Sequence, residues 1–331
     1  MTDPAALADD IAAEMSTVLV GMDEQVEYLT ISLLSRGHVL LEGVPGVAKT
    51  TLANAFARAS GLTYNRIQMT PDTLPADITG TNVYREQAGT FELQKGPIFA
   101  NVVVADEINR ATPKTQSALL EAMAEEHVSI EGETLELPTP FLVVATQNPI
   151  EMEGTFELPE AQRDRFQFKL QVELPDPDTE REMLTRFDGA PTMTADDIEA
   201  VTSPAELHEA RTVVADVNVE SMVHDYILDL VNASREHPDV EHGVSPRGSL
   251  ALLQTAKARA AVRGREYVTS DDIKALVEPV FRHRLVLTTD AELGDVRPES
   301  IIDEIRSSVP TPDGSVAHSD AGGNSEEAST D

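Results

Sequence analysis

His38-Val39-Leu40-Leu41-Glu42-Gly43-Val44-Pro45-Gly46-Val47-Ala48-Lys49-Thr50-Thr51 is the stretch on which the reading of this chain turns. Its first half is a short apolar strand. The glycine loop follows, and Thr51–Ser60 (TLANAFARAS) then reads as a helix ended by Gly61. A loop in that setting points backbone N–H groups inward, backed by the positive end of the helix, which suits phosphate oxygens. Gly43, Lys49 and Thr50 fit the pattern G-x-x-x-x-G-K-S/T, but Ala48 stands where the last Gly is usual. Gly46 supplies another flexible point, and Ala48 is expected to need only a helix-compatible backbone. In this pattern Lys49 reaches the β- and γ-phosphates of ATP and the Thr50 hydroxyl binds Mg²⁺. Val44, Pro45, Val47 and Thr51 complete the cradle. A plain Gly-Pro turn at the top of a strand is the competing account.

The strands downstream favour the phosphate reading. Asn101–Ala105 (NVVVA) runs into Asp106 and Glu107. Beside the first strand, Asp106 can hold Mg²⁺ and Glu107 can polarise an attacking water, as hydrolytic phosphate loops require. Acids also end many surface strands, but the all-apolar approach argues against that account. A third strand, Phe141–Thr146, ends in Gln147-Asn148-Pro149. Asn148 could orient the water, or simply mark an Asn-Pro turn.

Further strands are expected at Tyr64–Gln68 and Phe166–Val172, and helices over Asp9–Val20, 24–35 and Thr115–Glu125. Residues 70–96, rich in Pro, Gly and Thr, read as an insertion. Residues 127–140 read as a hairpin about a Gly turn. Strands alternating with helices imply an α/β fold with a parallel sheet covered on both faces. After Pro175-Asp176-Pro177 the pattern turns helical, as in Ser221–Arg235, Ser249–Arg263 and Ser270–Phe281. The expected organisation is an α/β nucleotide-binding domain over 1–177, N-terminal helices included, then an all-α domain over 178–290. A C-terminal extension over 291–331 follows, disordered from about 307, because its polar composition buries too little to order.

Composition narrows the function. The chain has 331 residues and no Cys, which excludes thiolate chemistry and disulfides. No apolar run approaches a membrane span, and the acidic start lacks the order of a signal peptide, so a cytoplasmic protein is expected. There are 58 acidic against 25 basic residues, a net charge of −33. The acids are scattered, which suits a high-salt cytoplasm in which salt screens self-repulsion; an ordinary acidic protein is the competing account. A nucleic-acid motor needs a basic footprint, whereas the 127–140 segment holds Glu131, Glu133 and Glu136 and no Lys or Arg. His127, His237 and His242 lack metal-ligand spacing, and Tyr64 and Tyr84 read as packing residues.

With these motifs on the page, the chain resembles the AAA+ ATPases, and more narrowly the MoxR family. The likeness rests on GVPGVAKT (43–50), GPIFANVVVADEINRA (96–111), TQSALLEAM (115–123), VATQNP (144–149), EGTFELPEAQRDRF (153–166) and SPRG (245–248). It spans about Val20 to Leu287, and the family itself carries Ala before the loop Lys. The resemblance implies a P-loop core followed by a helical lid, with ATP and Mg²⁺ as cofactors. By the same resemblance Val20 and Gly21 lie near the adenine, and Asn148 is the polar sensor at the third strand. Arg165 is an arginine finger reaching a neighbouring subunit, with Arg163 as the competing candidate. Arg247 is a second sensor touching the γ-phosphate. It also implies a homo-oligomer, a hexameric ring, that remodels or assembles a client protein complex. A partner with a von Willebrand factor A (VWA) domain and metalloprotein maturation come with that reading. The motor subunits of metal chelatases share much of this layout.

Overall fold

The computed structural model describes residues 2–87, 89–149, 154–189 and 194–312. Two helices lead, Pro4–Ser16 (α1) and Asp23–Leu34 (α2). The first starts earlier than the expected Asp9–Val20. Asp3 caps it by accepting from the Ala5 N–H, and Pro4 sits in its first turn, where a missing N–H costs nothing.

The core then alternates: Val39–Glu42 (β1), Lys49–Ala59 (α3), Tyr64–Gln68 (β2), Pro75–Thr79 (α4), the hairpin Gly80–Arg85 (β3) and Thr90–Lys95 (β4), Val102–Asp106 (β5), and Pro113–Glu125 (α5). It continues with the hairpin His127–Ile130 (β6) and Glu133–Glu136 (β7), Leu142–Gln147 (β8), Glu160–Arg163 (α6) and Phe168–Gln171 (β9). Five strands form one parallel sheet in the order β2-β5-β8-β1-β9. Strand side chains alternate in direction. Leu41, Val104 and Val144 therefore join one apolar core, and Leu40, Val103 and Val143 the other. Burial on both faces is why these strands read as continuous apolar runs.

The β6–β7 turn is Glu131-Gly132, both with positive φ (49° and 91°), the two-residue geometry whose twist matches a hairpin. The insertion at 70–96 resolves into α4 and the β3–β4 hairpin. Tyr84, expected to pack, is 53% exposed there and pairs with Phe91 across the hairpin, ring centroids 5.2 Å apart.

The helical part comprises Pro177–Gly189 (α7), Pro204–Asp216 (α8), Ser221–Glu236 (α9), Val240–His242 (β10), Pro246–Val262 (α10), Ser270–Phe281 (α11), Val286–Leu287 (β11), Thr289–Leu293 (α12) and Pro298–Ser308 (α13). The extension expected from 291 is therefore in large part lid. Ile301, Ile302, Ile305 and Val309 form a helical stripe buried in the main core, with α13 against α9 and α11. Order thus runs past the expected limit near 307, because that stripe has a surface to bury. Residues 313–331 of the expected tail lie outside the described residues. The lid also grips the leading helices. Arg211 of α8, buried, donates through Nε and Nη2 to the Leu33 carbonyl, at 2.9 and 2.6 Å.

Candidate functional site

The phosphate loop hangs at the carboxyl end of β1, between β8 and β9. The Gly43 N–H donates to the Gln147 carbonyl of β8 at 3.2 Å. A Cβ at Gly43 would meet the Val172 carbonyl oxygen at 2.3 Å, so only glycine fits there. Gly46 takes φ +87° beside open space. Ala48 does not take the helix-compatible backbone expected of it: it caps α3 in the left-handed region, φ 58°, ψ 23°. That is why Gly is usual at this place, and holding Ala there costs about 1–2 kcal/mol. The Lys49 ammonium turns back into the loop and donates to the carbonyls of Gly43 (2.5 Å) and Val44 (2.9 Å). Burial pulls its pKa below the usual lysine value, against the opposing pull of Asp106 and Glu107.

The two carboxylates lie at the same sheet end. Thr146, wholly buried at the tip of β8, ties them together. Its hydroxyl donates to Asp106 Oδ1 at 2.6 Å and accepts from the Glu107 N–H at 2.9 Å. Asp106 Oδ2 accepts from Arg66 of β2, through Nε at 3.0 Å and through Nη2. Arg66 Nη2 also donates to Gln68 Oε1 at 2.8 Å, and Gln68 Nε2 donates to Glu107 Oε2 at 3.2 Å. Glu107 Oε2 accepts from Arg110 as well, at 3.1 Å. Glu107 is left-handed, φ 57°, ψ 53°, a local strain of the kind that concentrates at functional sites. Asn148 is buried one residue beyond β8, level with these groups.

A cavity of about 1360 Å³ opens beside the loop. Gly46, Val47, Ala48, Thr50 and Thr51 line it, as do Val20 and Gly21 on its far side, and α11 closes it through Lys274, Glu278 and Arg282. Gly21 has φ +70°, and a Cβ there would meet Thr179 Cγ2 of α7 at 2.7 Å. The volume is ample for a nucleotide. Thr50 and Asp106 offer one hydroxyl and one carboxylate. Among the described residues no group of three or more His, Cys, Asp or Glu could hold a metal. So sparse a set of hard oxygens fits Mg²⁺, which keeps waters and shares substrate phosphates.

Arg165 and Arg247 do not line this cavity. Gln167 N–H donates to the His38 carbonyl at 2.8 Å, which puts residues 163–167 at the amino end of β1 and β9. Arg165 Nη1 donates to the Leu120 carbonyl of α5. Asp164 accepts from Arg284 Nε at 2.8 Å and from the Ser245 hydroxyl at 2.9 Å. Ser245 caps α10, so Arg247, exposed in its first turn, sits at this same end. Burial lowers the Arg284 pKa to about 10; Asp164 counters that, and Arg247 adds to the lowering. The sequence-predicted residues thus divide into two groups, one at each end of the sheet. Sequence reading missed Thr146, Arg66, Gln68, Asp164 and Arg284. Only Thr146 carried a local signal, as a polar tip of an apolar strand.

The profile of the ATPase family associated with various cellular activities (AAA) matches residues 38–168, and that of the AAA lid domain matches 232–305. Chaperone MoxR1 of Mycobacterium tuberculosis is 44% identical over 93% of this chain and 86% of its own. Protein MoxR of Methylorubrum extorquens is 33% identical over 94% of this chain and 97% of its own. The crystal structure of a Cytophaga hutchinsonii protein described as an ATPase superposes with a TM-score of 0.87, at 38% identity, over 93% of this chain and 96% of its own. No helix among the described residues is long and apolar enough to cross a membrane. Loop, carboxylates, lid and relatives agree: the chain is an ATP hydrolase and belongs to the MoxR family of AAA+ ATPases.

Proposed function

We propose that the chain works as a ring of identical subunits, six in number, that uses ATP and Mg²⁺ to remodel or assemble client protein complexes. Cooperation with a VWA-domain partner and metalloprotein maturation belong to the same reading. The chaperone name of the mycobacterial relative supports the class of work. Exposed Glu131, Glu133 and Glu136 on the β6–β7 hairpin speak against a nucleic-acid motor. The charge of −33 supports a salt-rich cytoplasm as the setting.

In this mechanism Lys49 exchanges the Gly43 and Val44 carbonyls for phosphate oxygens. Thr50 and Asp106 would hold Mg²⁺, which when bound would neutralise charge on those oxygens. Glu107 polarises the attacking water, and Asn148 orients it. Thr146 holds the Asp106 carboxylate and the Glu107 backbone in register. Arg165 and Arg247 complete the site of a neighbouring copy.

The observation that carries the reading is the position of those two arginines. They stand at the amino end of strands whose carboxyl end bears the loop, about 13 Å away along a four-residue strand. A chain cannot fold both ends onto one nucleotide, but adjacent copies can bring them together. Glu107→Gln is expected to keep nucleotide binding and abolish hydrolysis, and Arg165→Ala to lower hydrolysis about 10³-fold. Mixing the two variants should restore part of the activity. The Arg165→Ala loop then meets an intact arginine from its neighbour. A mixture as inactive as its components would refute the shared site.

A further inference from the structure

Arg66 is a charged group at this site that the ATPase chemistry leaves unexplained. It stands on β2, the edge strand next to β5, and β2–β5 pairing places it beside the strand end that carries Asp106. Both Asp106 oxygens are engaged. Oδ1 accepts from Thr146, which is buried and fixed. Oδ2 accepts from two nitrogens of Arg66. The Asp106 side chain is only 12% exposed, whereas Arg66 is 49% exposed and borders the cavity. Asp106 itself does not line the cavity, so Arg66 is the member of the pair that meets it.

We propose that Arg66 is an internal competitor of the divalent cation at Asp106. It rests on the reading that Asp106 helps hold Mg²⁺. Thr146 holds Oδ1 and the guanidinium holds Oδ2, so a cation, or a water it carries, that approaches Oδ2 would meet the guanidinium, and two positive charges cannot share that oxygen closely without mutual repulsion. Metal binding therefore displaces Arg66 or pushes it aside. The displacement is cheap, because a half-exposed ion pair is a weak one. Arg66 then faces the cavity, where its charge meets the bound anion. The consequence is a raised threshold: more Mg²⁺ is required than Thr50 and Asp106 alone would require.

The probe is Mn²⁺ binding to the full chain with ADP, read by the EPR signal of free Mn²⁺. Arg66→Gln, which removes the charge but keeps a polar side chain, should lower the half-saturating Mn²⁺ concentration about fivefold. Arg66→Lys keeps the charge, loses the two-pronged contact, and should fall between. If Arg66 instead served to position Asp106, Arg66→Gln would bind Mn²⁺ more weakly; that result, or equal binding, overturns the proposal while wild-type binding still supports the metal site. Absence of ADP-dependent Mn²⁺ binding in the wild type would remove the metal reading itself, and this proposal with it.

Discussion

At the carboxyl end of the sheet, Gly43, Asp106, Glu107 and Thr146 become neighbours through pairing of adjacent parallel strands. At the amino end, Asp164, between Arg163 and Arg165, meets Ser245 and Arg284 only because the lid docks there. The first end borders the cavity through Gly46, Val47, Ala48 and Thr50 and holds two left-handed non-glycine residues, Ala48 and Glu107. The second is built from buried charge and imidazole, with Arg284 and His283 against the Phe166 carbonyl. The difference separates two tasks. One end keeps strained, exchangeable contacts that a ligand can replace. The other is clamped: Arg284 ties the lid to Asp164, beside Arg165 and near Arg247. On the ring reading, a change at one end is felt at the other end of a neighbour.

The clamp is where the comparison breaks most easily. The Arg284 side chain is 2% exposed, and Asp164 is its only carboxylate partner among the described residues. Removing one member of a buried pair typically costs 3–5 kcal/mol. Carbonyls of Phe166 and Gln167 still accept from Arg284, so Asp164→Ala belongs near the low end, about 3 kcal/mol. Urea unfolding should show that loss, while nucleotide affinity at the loop stays close to wild type. A fall in affinity as large as the fall in hydrolysis would mean that the two ends are not separate.

Acid should act first at the amino end. His38 is buried between β1, α5 and β8: Nε2 bonds the Met123 carbonyl at 3.0 Å, and the Val143 N–H donates to Nδ1 at 3.0 Å. A carbonyl only accepts and an N–H only donates, so both bonds require the neutral ring with its proton on Nε2. Burial lowers its pKa to about 4. The unfolded chain takes up that proton near pH 6.5, so stability is lost as pH falls from there towards 4. The full loss from this ring is about 3 kcal/mol. His38→Gln should start less stable at pH 7.5 and show a shallower decline. Parallel declines in urea midpoint would discount His38 as the acid-sensitive group.

The two ends also differed in how far the sequence disclosed them. Gly43–Thr50, Asp106 and Glu107 are legible because each follows its own apolar strand, and the chain needs no distant partner to declare them. Arg165 and Arg247 were singled out only through family likeness, since nothing local distinguishes them from surface arginines. The Asp164–Arg284 pair spans 120 residues and depends on how the lid docks. Arg66 and Thr146 gain their meaning from the strand order β2-β5-β8, which alternation of strands and helices leaves open. The stripe Ile301, Ile302, Ile305 was legible as a period, but the acidic residues around it drew it into the expected extension.

The smallest effect tests the local end. Ala48 sits at φ 58°, where a Cβ costs about 1–2 kcal/mol and glycine pays nothing. Against that, glycine frees the unfolded chain by roughly 0.4–1 kcal/mol. The strain is the larger of the two, so Ala48→Gly should stabilise the chain by about 0.5 kcal/mol. In a chain this size that is a rise of about 1 °C in the unfolding midpoint. A fall instead would place Ala48 outside the left-handed region and restore the helix-compatible backbone that the sequence first suggested. A rise would show that strain at the loop, unlike the clamp at the other end, is held by the surrounding fold and is not needed for its stability.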